Sequence, residues 1–178
     1  MHVTKLAIDG LLLIDPRVFS DERGYFLETF NESKYKEIIG DEYSFVQDNL
    51  SCSGKGVLRG LHFQDEPYAQ GKLVQVIKGR VLDVAVDIRR GSTTYGQYVS
   101  VELSDENHLQ FWIPPGFAHG FLSLEENTLF SYKCTSYYSP ENERTILWND
   151  ETIGIEWGID NPIVSRKDTI GEKFVKLR

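Results

Sequence analysis

Cysteine is scarce in this sequence, which excludes several kinds of protein. The 178 residues include two cysteines, Cys52 and Cys134, which lie far apart in the chain. This spacing matches neither a disulfide framework nor the closely spaced ligand pairs of a zinc site. We therefore expect both to be reduced thiols in the core of a cytoplasmic protein.

Long apolar runs and an excess of positive charge are also missing. Nowhere do about 18 apolar residues follow one another, so the sequence predicts neither an export signal nor a membrane span. Lys and Arg total 19 against 27 for Asp and Glu, a formal charge of −8. Nucleic-acid-binding domains generally carry a basic surface that neutralises phosphates, so we expect no nucleic-acid partner. Basic residues in one pocket can still bind an anionic small molecule.

Helix signals are nearly absent as well. One segment predicts a helix that begins after Asn31, whose side chain can cap the first turn, and ends near Gly40, which can adopt the left-handed conformation. With 40% hydrophobic residues, the chain has enough apolar material for one core and is short for two. We expect a single domain over residues 1–178.

The chain does contain many short segments rich in β-branched and aromatic residues, separated by turn residues. The predicted strands are Leu73–Ile77, Val81–Ile88, Tyr98–Leu103, Gln110–Ile113, His119–Leu124 and Thr128–Thr135. Short strands at near-regular spacing, with little helix between them, predict an all-β fold. We expect antiparallel sheets that form a jelly-roll barrel or sandwich with one or two short helices.

The predicted strand Val81–Ile88 has one polar face. Alternation places Asp83 and Asp87 on one side of the strand and Val84 and Val86 on the other. If the polar face lines the interior of a barrel, Asp83 is a carboxylate in a pocket. If that face meets water, Asp83 is solvated, and the sequence leaves both alternatives open.

Reactive side chains concentrate in three segments, Arg59–Gln64, Pro114–Phe121 and Tyr132–Tyr138. The Pro-Pro-Gly-x-x-His run that ends at His119 resembles the later half of the signature of cupin barrels, which often hold a metal. The earlier half usually supplies a His-x-His pair, whereas His62 is followed two positions later by Gln64. Because transition metals in such sites require three or more imidazole or carboxylate ligands, we expect no metal. A metal site would need Asp83 or another carboxylate.

The order of the motifs along the chain is distinctive. In sequence they are Gln47-Asp-Asn49, Arg59-Gly-Leu-His-Phe-Gln64, Lys72, Pro114-Pro-Gly-x-x-His-Gly-Phe121, Tyr132-Lys-x-Thr-x-Tyr-Tyr138, Glu143-Arg144 and Ser165-x-Lys-Asp168. Together they resemble the dTDP-4-dehydrorhamnose 3,5-epimerase family from about Phe19 to Asp168, an order that chance does not produce. The resemblance implies a cupin-like barrel that acts on a dTDP-linked 4-keto-6-deoxy sugar without metal or redox cofactor.

The implied chemistry explains the residue types. Inversion of a carbon beside a ketone requires a base on one face, an acid on the other and stabilisation of the enolate between them. His62 is the natural base, because an imidazole titrates near neutral pH. The resemblance makes Asp168 its carboxylate partner, Tyr132 the proton donor and Lys72 the cation near the carbonyl oxygen. On spacing alone, Lys72 is a surface charge, and Tyr132 has an alternative as a packed core aromatic.

The resemblance also implies residues that bind the nucleotide sugar. Cations and donors for the diphosphate and sugar region are Arg23, Arg59, His119 and Lys167. Positions that hydrogen-bond the nucleotide or sugar are Glu28, Gln47, Asp48, Asn49 and Glu143, and Tyr138 matches an aromatic that stacks on thymine. Charged residues on loops are commonly solvated, which is the alternative for each of them.

Arg59 and His62 present a difficulty, because three positions separate them and a regular strand would place them on opposite faces. Gly60 can resolve it, since glycine inside a strand often marks a bulge or a close approach of two backbones. If the strand is regular instead, one of the two assignments is wrong.

Three alternative functions remain. A 3-only or 5-only epimerase, or a related 4-keto-sugar isomerase, would share the base and the carbonyl-binding residues. A non-catalytic binding barrel would keep the pocket and lose the acid and base, and a metal-dependent cupin enzyme would need the missing ligands. The resemblance also implies a homodimer, in which the aromatic run Tyr25–Phe30 reaches across the interface, although this run can equally pack inside its own subunit.

Overall fold

The computed structural model of the protein describes residues 1–177; Arg178, the last residue of the predicted domain, lies outside the described residues. The strands are β1 (His2–Lys5), β2 (Leu12–Asp15), β3 (Val18–Asp21), β4 (Gly24–Leu27), β5 (Gln47–Ser53), β6 (Val57–Gln64), β7 (Lys72–Lys78), β8 (Arg80–Asp87), β9 (Tyr98–Ser104), β10 (Gln110–Ile113), β11 (Phe117–Ser123), β12 (Thr128–Cys134), β13 (Glu143–Thr145) and β14 (Ile163–Val164). The helices are α1 (Glu32–Ile39), α2 (Arg166–Thr169) and a 3-10 turn at Phe174–Leu177.

Two antiparallel sheets form the body of the molecule. Their strand orders are β1-β2-β10-β7-β12-β5 and β13-β6-β11-β8-β9, while β14 pairs in parallel with β6 and the β3–β4 hairpin forms a separate ribbon. From β5 to β12 successive strands alternate between the two sheets, except for the β8–β9 hairpin within the second sheet, so the chain wraps them into a jelly roll. The predicted all-β fold with one or two short helices is confirmed, since α1 and α2 are both present, and so are the six predicted strands and the first helix.

The main core lies between the two sheets. Val74 and Phe130 of the first sheet pack with Val81 and Phe121 of the second, and none of the four is more than 4% exposed. Full burial of an apolar side chain of this size contributes about 1.5–3 kcal/mol, so this layer holds the sheets together. The remaining volume between the sheets forms the cavity described below.

Two further clusters cover the outer faces of the sheets. Tyr35 and Ile39 of α1 pack on Trp112 of the first sheet. Trp157 and Phe174 of the C-terminal segment belong to a cluster on the second sheet. Each sheet is therefore buried on both faces over much of its area, which explains why the central strands are rich in apolar residues at successive positions.

The ends of α1 agree with the prediction in position. The Asn31 side chain accepts a hydrogen bond from the Lys34 backbone N–H at 3.3 Å. Gly40 follows the last turn with φ +112° and ψ 146°, a positive-φ but extended conformation rather than the expected left-handed helical one. Glycine adopts this conformation without the clash that a Cβ would cause.

The prediction for the two cysteines is half wrong. Cys134 is buried, whereas Cys52 is exposed; both are free thiols. Residues of β5 alternate between the two faces of an edge strand, and Cys52 falls on the outward face. No helix among residues 1–177 is both long and apolar enough to cross a membrane.

Candidate active site

A β-bulge in β6 brings Arg59 and His62 to one side of the sheet. In the pairing with β11, His62 lies opposite His119 and Arg59 opposite Phe121, so β6 has one extra residue between these pairs. The backbones approach closely here, since a Cβ on Gly60 would lie 2.5 Å from Cα of Gly120. The prediction that Gly60 marks a bulge is confirmed, and Arg59 and His62 line the same cavity.

This cavity consists of two adjoining pockets. The larger pocket, of about 430 Å³, is lined by apolar side chains such as Phe121 and Phe130 together with Arg59. The smaller pocket, of about 260 Å³, is lined mainly by polar side chains. His62, Lys72 and Tyr132 line both pockets and therefore stand where the two meet. Their combined size suits a small-molecule ligand.

His62 and Asp168 form a close pair at this junction. The distance from His62 Nε2 to Asp168 Oδ1 is 2.6 Å, and the carboxylate side chain is 3% exposed. Burial raises the pKa of Asp168, but hydrogen bonds from His62, Ser165 and the Gly60 backbone outweigh this effect and lower it overall. An ionised carboxylate only accepts hydrogen bonds, so Nε2 of His62 carries the proton and Nδ1 is left as the basic nitrogen.

Tyr132 and Lys72 are both held in the interior of the barrel. Tyr132 packs beside Phe130, with 6.0 Å between ring centroids, and burial raises the pKa of its hydroxyl, which stays protonated at neutral pH. Lys72 is 9% exposed, so the alternative of a surface charge is wrong. Among the described residues, no hydrogen bond or ion pair engages the side-chain amino group of Lys72, so this group is available to a ligand.

The structure also decides where Asp83 faces. Asp83 is fully buried, and both of its carboxylate oxygens lie 3.0 Å from Nε2 of His119, which lines the larger pocket. Burial lowers the pKa of His119, although the Asp83 charge opposes this shift. His119 therefore offers the pocket a hydrogen-bonding imidazole that Asp83 holds in place, rather than a fixed positive charge.

Several predicted binding residues meet in the smaller pocket. Gln47 Oε1 accepts a hydrogen bond from the Tyr138 backbone N–H at 2.9 Å, and the Tyr138 hydroxyl donates to Glu143 Oε2 at 2.7 Å. Lys167 forms an ion pair with Glu143, and Asn49 accepts from Gln47 at 3.0 Å. The ring of Tyr138 is 51% exposed, so its face is accessible to a stacking partner.

The structure does not bring Arg23, Glu28 and Asp48 to the cavity within one chain. Arg23 pairs with Asp21 at the tip of the exposed hairpin, and Glu28 pairs with Lys34 at 2.7 Å. Asp48 alternates with its inward-facing neighbours and forms an outward ion pair with Lys133 at 2.9 Å. A binding role for its side chain is therefore not supported by this cavity.

Sequence reasoning missed the apolar wall of the larger pocket and one polar group, Ser51. A signal was present for Ser51, because the inward face of β5 carries Gln47, Asn49, Ser51 and Ser53 at every second position. Polar residues with a period of two on an interior face indicate a lined pocket rather than a core.

A jelly-roll barrel whose cavity places an imidazole–carboxylate pair near a partly buried phenol and a buried lysine belongs to the class of cupin-like enzymes equipped for proton transfer. No group of three or more His, Cys, Asp or Glu residues that could hold a metal ion occurs in the described part of the chain. A model of the dTDP-4-dehydrorhamnose 3,5-epimerase family matches residues 5–176, and the chain belongs to this family.

Individual relatives agree with this assignment. The dTDP-4-dehydrorhamnose 3,5-epimerase of Shigella flexneri is 55% identical over 175 residues, covering 98% of this chain and 97% of the relative. The Legionella pneumophila dTDP-6-deoxy-D-glucose-3,5-epimerase, solved in complex with dTDP-4-keto-L-rhamnose, is 48% identical with a TM-score of 0.94 and coverage of 99% and 96%. A Streptomyces bikiniensis 3'-monoepimerase in complex with dTDP-quinovose is 32% identical, with a TM-score of 0.91 and coverage of 96% and 86%. The predicted family and enzyme class are confirmed.

Proposed function

We propose that this protein inverts C3 and C5 of dTDP-4-dehydro-6-deoxy-D-glucose, giving dTDP-4-dehydro-L-rhamnose, by proton abstraction and reprotonation through an enolate. The observation that carries the proposal is the cavity in which the His62–Asp168 pair, Tyr132 and Lys72 line one ligand-sized space. The 3,5-epimerase relatives and the bound ligand of the Legionella pneumophila protein support this substrate class.

Each step has a residue of suitable charge. Nδ1 of His62 removes the proton beside the ketone, and the ionised Asp168 stabilises the imidazolium that results. Lys72 stabilises negative charge that develops on the carbonyl oxygen, because a cation in a water-poor site acts strongly on an oxyanion. Tyr132, whose pKa is raised by burial, holds a proton for delivery to the opposite face of the sugar.

Inversion of one carbon only is the second candidate function. The Streptomyces bikiniensis relative is a 3'-monoepimerase with the same fold, and the same base, acid and cation suffice for a single inversion. The 3,5-epimerase relatives, at 55% identity, favour inversion of both carbons. Analysis of the product separates the two candidates.

The proposal includes a homodimer in the cytoplasm. Tyr25 and Phe26 of the β3–β4 hairpin are 57% and 68% exposed, an unusual fraction for aromatic residues on one ribbon. Burial of this hairpin against a second copy would bring Arg23 and Glu28 to the partner's cavity, where they would bind the nucleotide. The free thiols of Cys52 and Cys134 are in keeping with a reducing compartment.

The test is solvent exchange followed by NMR in deuterated water, with EDTA present because the proposal requires no metal. The parent enzyme should place deuterium at C3 and C5 and invert both carbons. His62→Ala should lose exchange and inversion by about 10²–10⁴-fold, since no enolate forms without the base. Tyr132→Phe should still exchange with retained configuration, because His62 can return a deuteron to its own face.

Tyr137→Phe is the matched control, since Tyr137 is 67% exposed and lies outside both pockets. It should behave as the parent. If Tyr132→Phe inverts both carbons at the parent rate, Tyr132 is not the acid. If His62→Ala still exchanges at the parent rate, His62 is not the base.

A further inference from the structure

We infer that Ser51 binds the C2 hydroxyl of the substrate's sugar ring and so contributes to substrate specificity. This inference deepens the proposed function and rests on it. The Ser51 hydroxyl is a polar group that the proposed proton transfer does not use.

The Ser51 hydroxyl is buried and has no hydrogen-bond partner among the described residues. The other serines around the larger pocket are engaged: Ser53 Oγ accepts from Arg59 Nε at 3.1 Å, and Ser165 Oγ accepts from the Asp168 backbone N–H at 3.2 Å. A buried hydroxyl left unpaired is unfavourable, so such a group in a ligand pocket is a candidate for ligand binding. Ser51 lines the larger pocket directly.

Strand register places Ser51 relative to the proposed reaction centre. Along β12, Cys134 pairs with Lys72, Tyr132 pairs with Asn49, and Phe130 pairs with Ser51. Measured along β12, the positions of Lys72 and Ser51 therefore lie on opposite sides of the position of Tyr132. With the C4 carbonyl toward Lys72, the side of the ring away from the carbonyl faces Ser51. The ring carbons on that side are C1, which bears the phosphate, and C2, which bears a free hydroxyl.

The surroundings favour a hydroxyl as the partner. Ser51 lies opposite Phe130, which stacks on Phe121 with 4.2 Å between ring centroids, so water has little access to this wall. A serine hydroxyl both donates and accepts, as does a sugar hydroxyl. A pocket that hydrogen-bonds a substrate hydroxyl discriminates against the analogue that lacks it, because its own polar group is then left unpaired.

The experiment combines Ser51→Ala with a substrate that lacks the C2 hydroxyl, dTDP-4-keto-2,6-dideoxy-glucose. We expect Ser51→Ala to raise KM for the intact substrate about 3- to 10-fold with kcat unchanged, since the bond is present in ground state and transition state alike. The 2-deoxy substrate should raise KM of the parent by a similar factor and cause no further rise in Ser51→Ala. The Kd of dTDP, measured by calorimetry, should be the same for both proteins.

Ser100→Ala is the control, because Ser100 is exposed on β9. An unchanged KM in Ser51→Ala overturns the inference, and so does an equal loss of affinity for dTDP, which would assign the hydroxyl to a phosphate. If the KM increases caused by Ser51→Ala and by the 2-deoxy substrate multiply when the two changes are combined, the Ser51 hydroxyl and the C2 hydroxyl do not contact each other. The 2-deoxy substrate tests the parent enzyme even if the variant folds poorly. If the parent does not turn over the intact substrate, the proposed function itself is contradicted.

Discussion

Burial acts in different directions on the ionisable residues at the junction of the two pockets. It raises the pKa of Tyr132, which keeps the phenol protonated, and it lowers the pKa of Lys72. The carboxylates of Asp83 and Glu143 oppose the loss of charge on Lys72. At Asp168, donated hydrogen bonds outweigh burial and lower the pKa of the carboxyl group. Tyr132 therefore stays protonated and Asp168 stays ionised at neutral pH, as their proposed roles require.

The lowered pKa of Lys72 predicts the alkaline side of the pH profile. A group whose pKa is lowered loses its proton at a lower pH than usual, so kcat/KM should begin to fall below the ordinary lysine pKa of about 10.4. In Lys72→Arg the guanidinium remains charged, so the fall in kcat/KM at alkaline pH should move to higher pH even if kcat decreases. The measurement is kcat/KM against pH for both proteins.

Lys78→Arg serves as the control, because Lys78 is exposed at the other end of β7. Its profile should match that of the parent. If kcat/KM falls at the same alkaline pH in Lys72→Arg as in the parent, a group other than Lys72 causes the fall.

At the scale of elements, two features bring the base and its partner together. The bulge in β6 turns Arg59 and His62 to one side. The short strand β14 pairs in parallel with β6, and the helix α2 that follows it returns Asp168 to His62 from 106 positions away in the chain. The His62–Asp168 pair therefore depends on the docking of the C-terminal segment against the second sheet.

The close approach at the bulge predicts the effect of Gly120→Ala. A Cβ on Gly120 would lie 2.8 Å from the Arg59 carbonyl oxygen and 3.1 Å from Cα of Gly60. These are backbone atoms that cannot rotate away, so we expect a loss of about 1–3 kcal/mol in the free energy of unfolding. Activity should fall as well, because Arg59 and His62 would shift. Denaturant unfolding and kcat/KM measure the two effects.

Gly54→Ala provides the comparison. Its added Cβ would meet the end of the flexible Glu126 side chain at 3.1 Å, and this side chain can move. Gly54→Ala should therefore be close to the parent in stability. Equal stability of Gly120→Ala and the parent would contradict the proposed rigidity of the bulge.

Elements were predictable where apolar residues dominate. The strands between Lys72 and Cys134 are largely buried on both faces, and their β-branched and aromatic residues give a strong signal. β5 was not predicted, because its outward residues are exposed and its inward residues are polar. The strands of the N-terminal hairpin carry exposed aromatic and charged residues, which indicate neither a core nor a regular alternation.

At the scale of the whole molecule, the exposed hairpin predicts dimerisation. Phe19, Tyr25 and Phe26 are 49%, 57% and 68% exposed. We expect a dimer at micromolar concentration in sedimentation velocity experiments. Phe26→Glu should shift the protein toward monomer, because a charge in an apolar interface is costly to desolvate. Activity should fall in parallel, since Arg23 and Glu28 would no longer reach the partner's cavity.

Val175→Glu is the matched control, because Val175 is an apolar residue in the C-terminal 3-10 turn and is 47% exposed. It should remain dimeric. A parent protein that sediments as a monomer at micromolar concentration contradicts the dimer.

The sequence by itself determined the class of fold, the family and the set of reactive side chains. Strand pattern depends on local alternation of residue types, and the motifs from Gln47 to Asp168 occur in one order along the chain. Both can be read without knowing which segments touch. For the same reason, the family resemblance implied His62, Tyr132, Lys72 and Asp168 as candidates before any contact was known.

Only the tertiary structure decided which way side chains face and what they meet. Asp83 and Cys52 show this, because the same period-two alternation puts one in the interior beside His119 and the other on the surface. A strand has two equivalent faces until another sheet covers one of them. The unpaired hydroxyl of Ser51 likewise exists only because β5 packs against the cavity. The orientation of a strand toward the core is therefore fixed by long-range packing, which residue spacing does not encode.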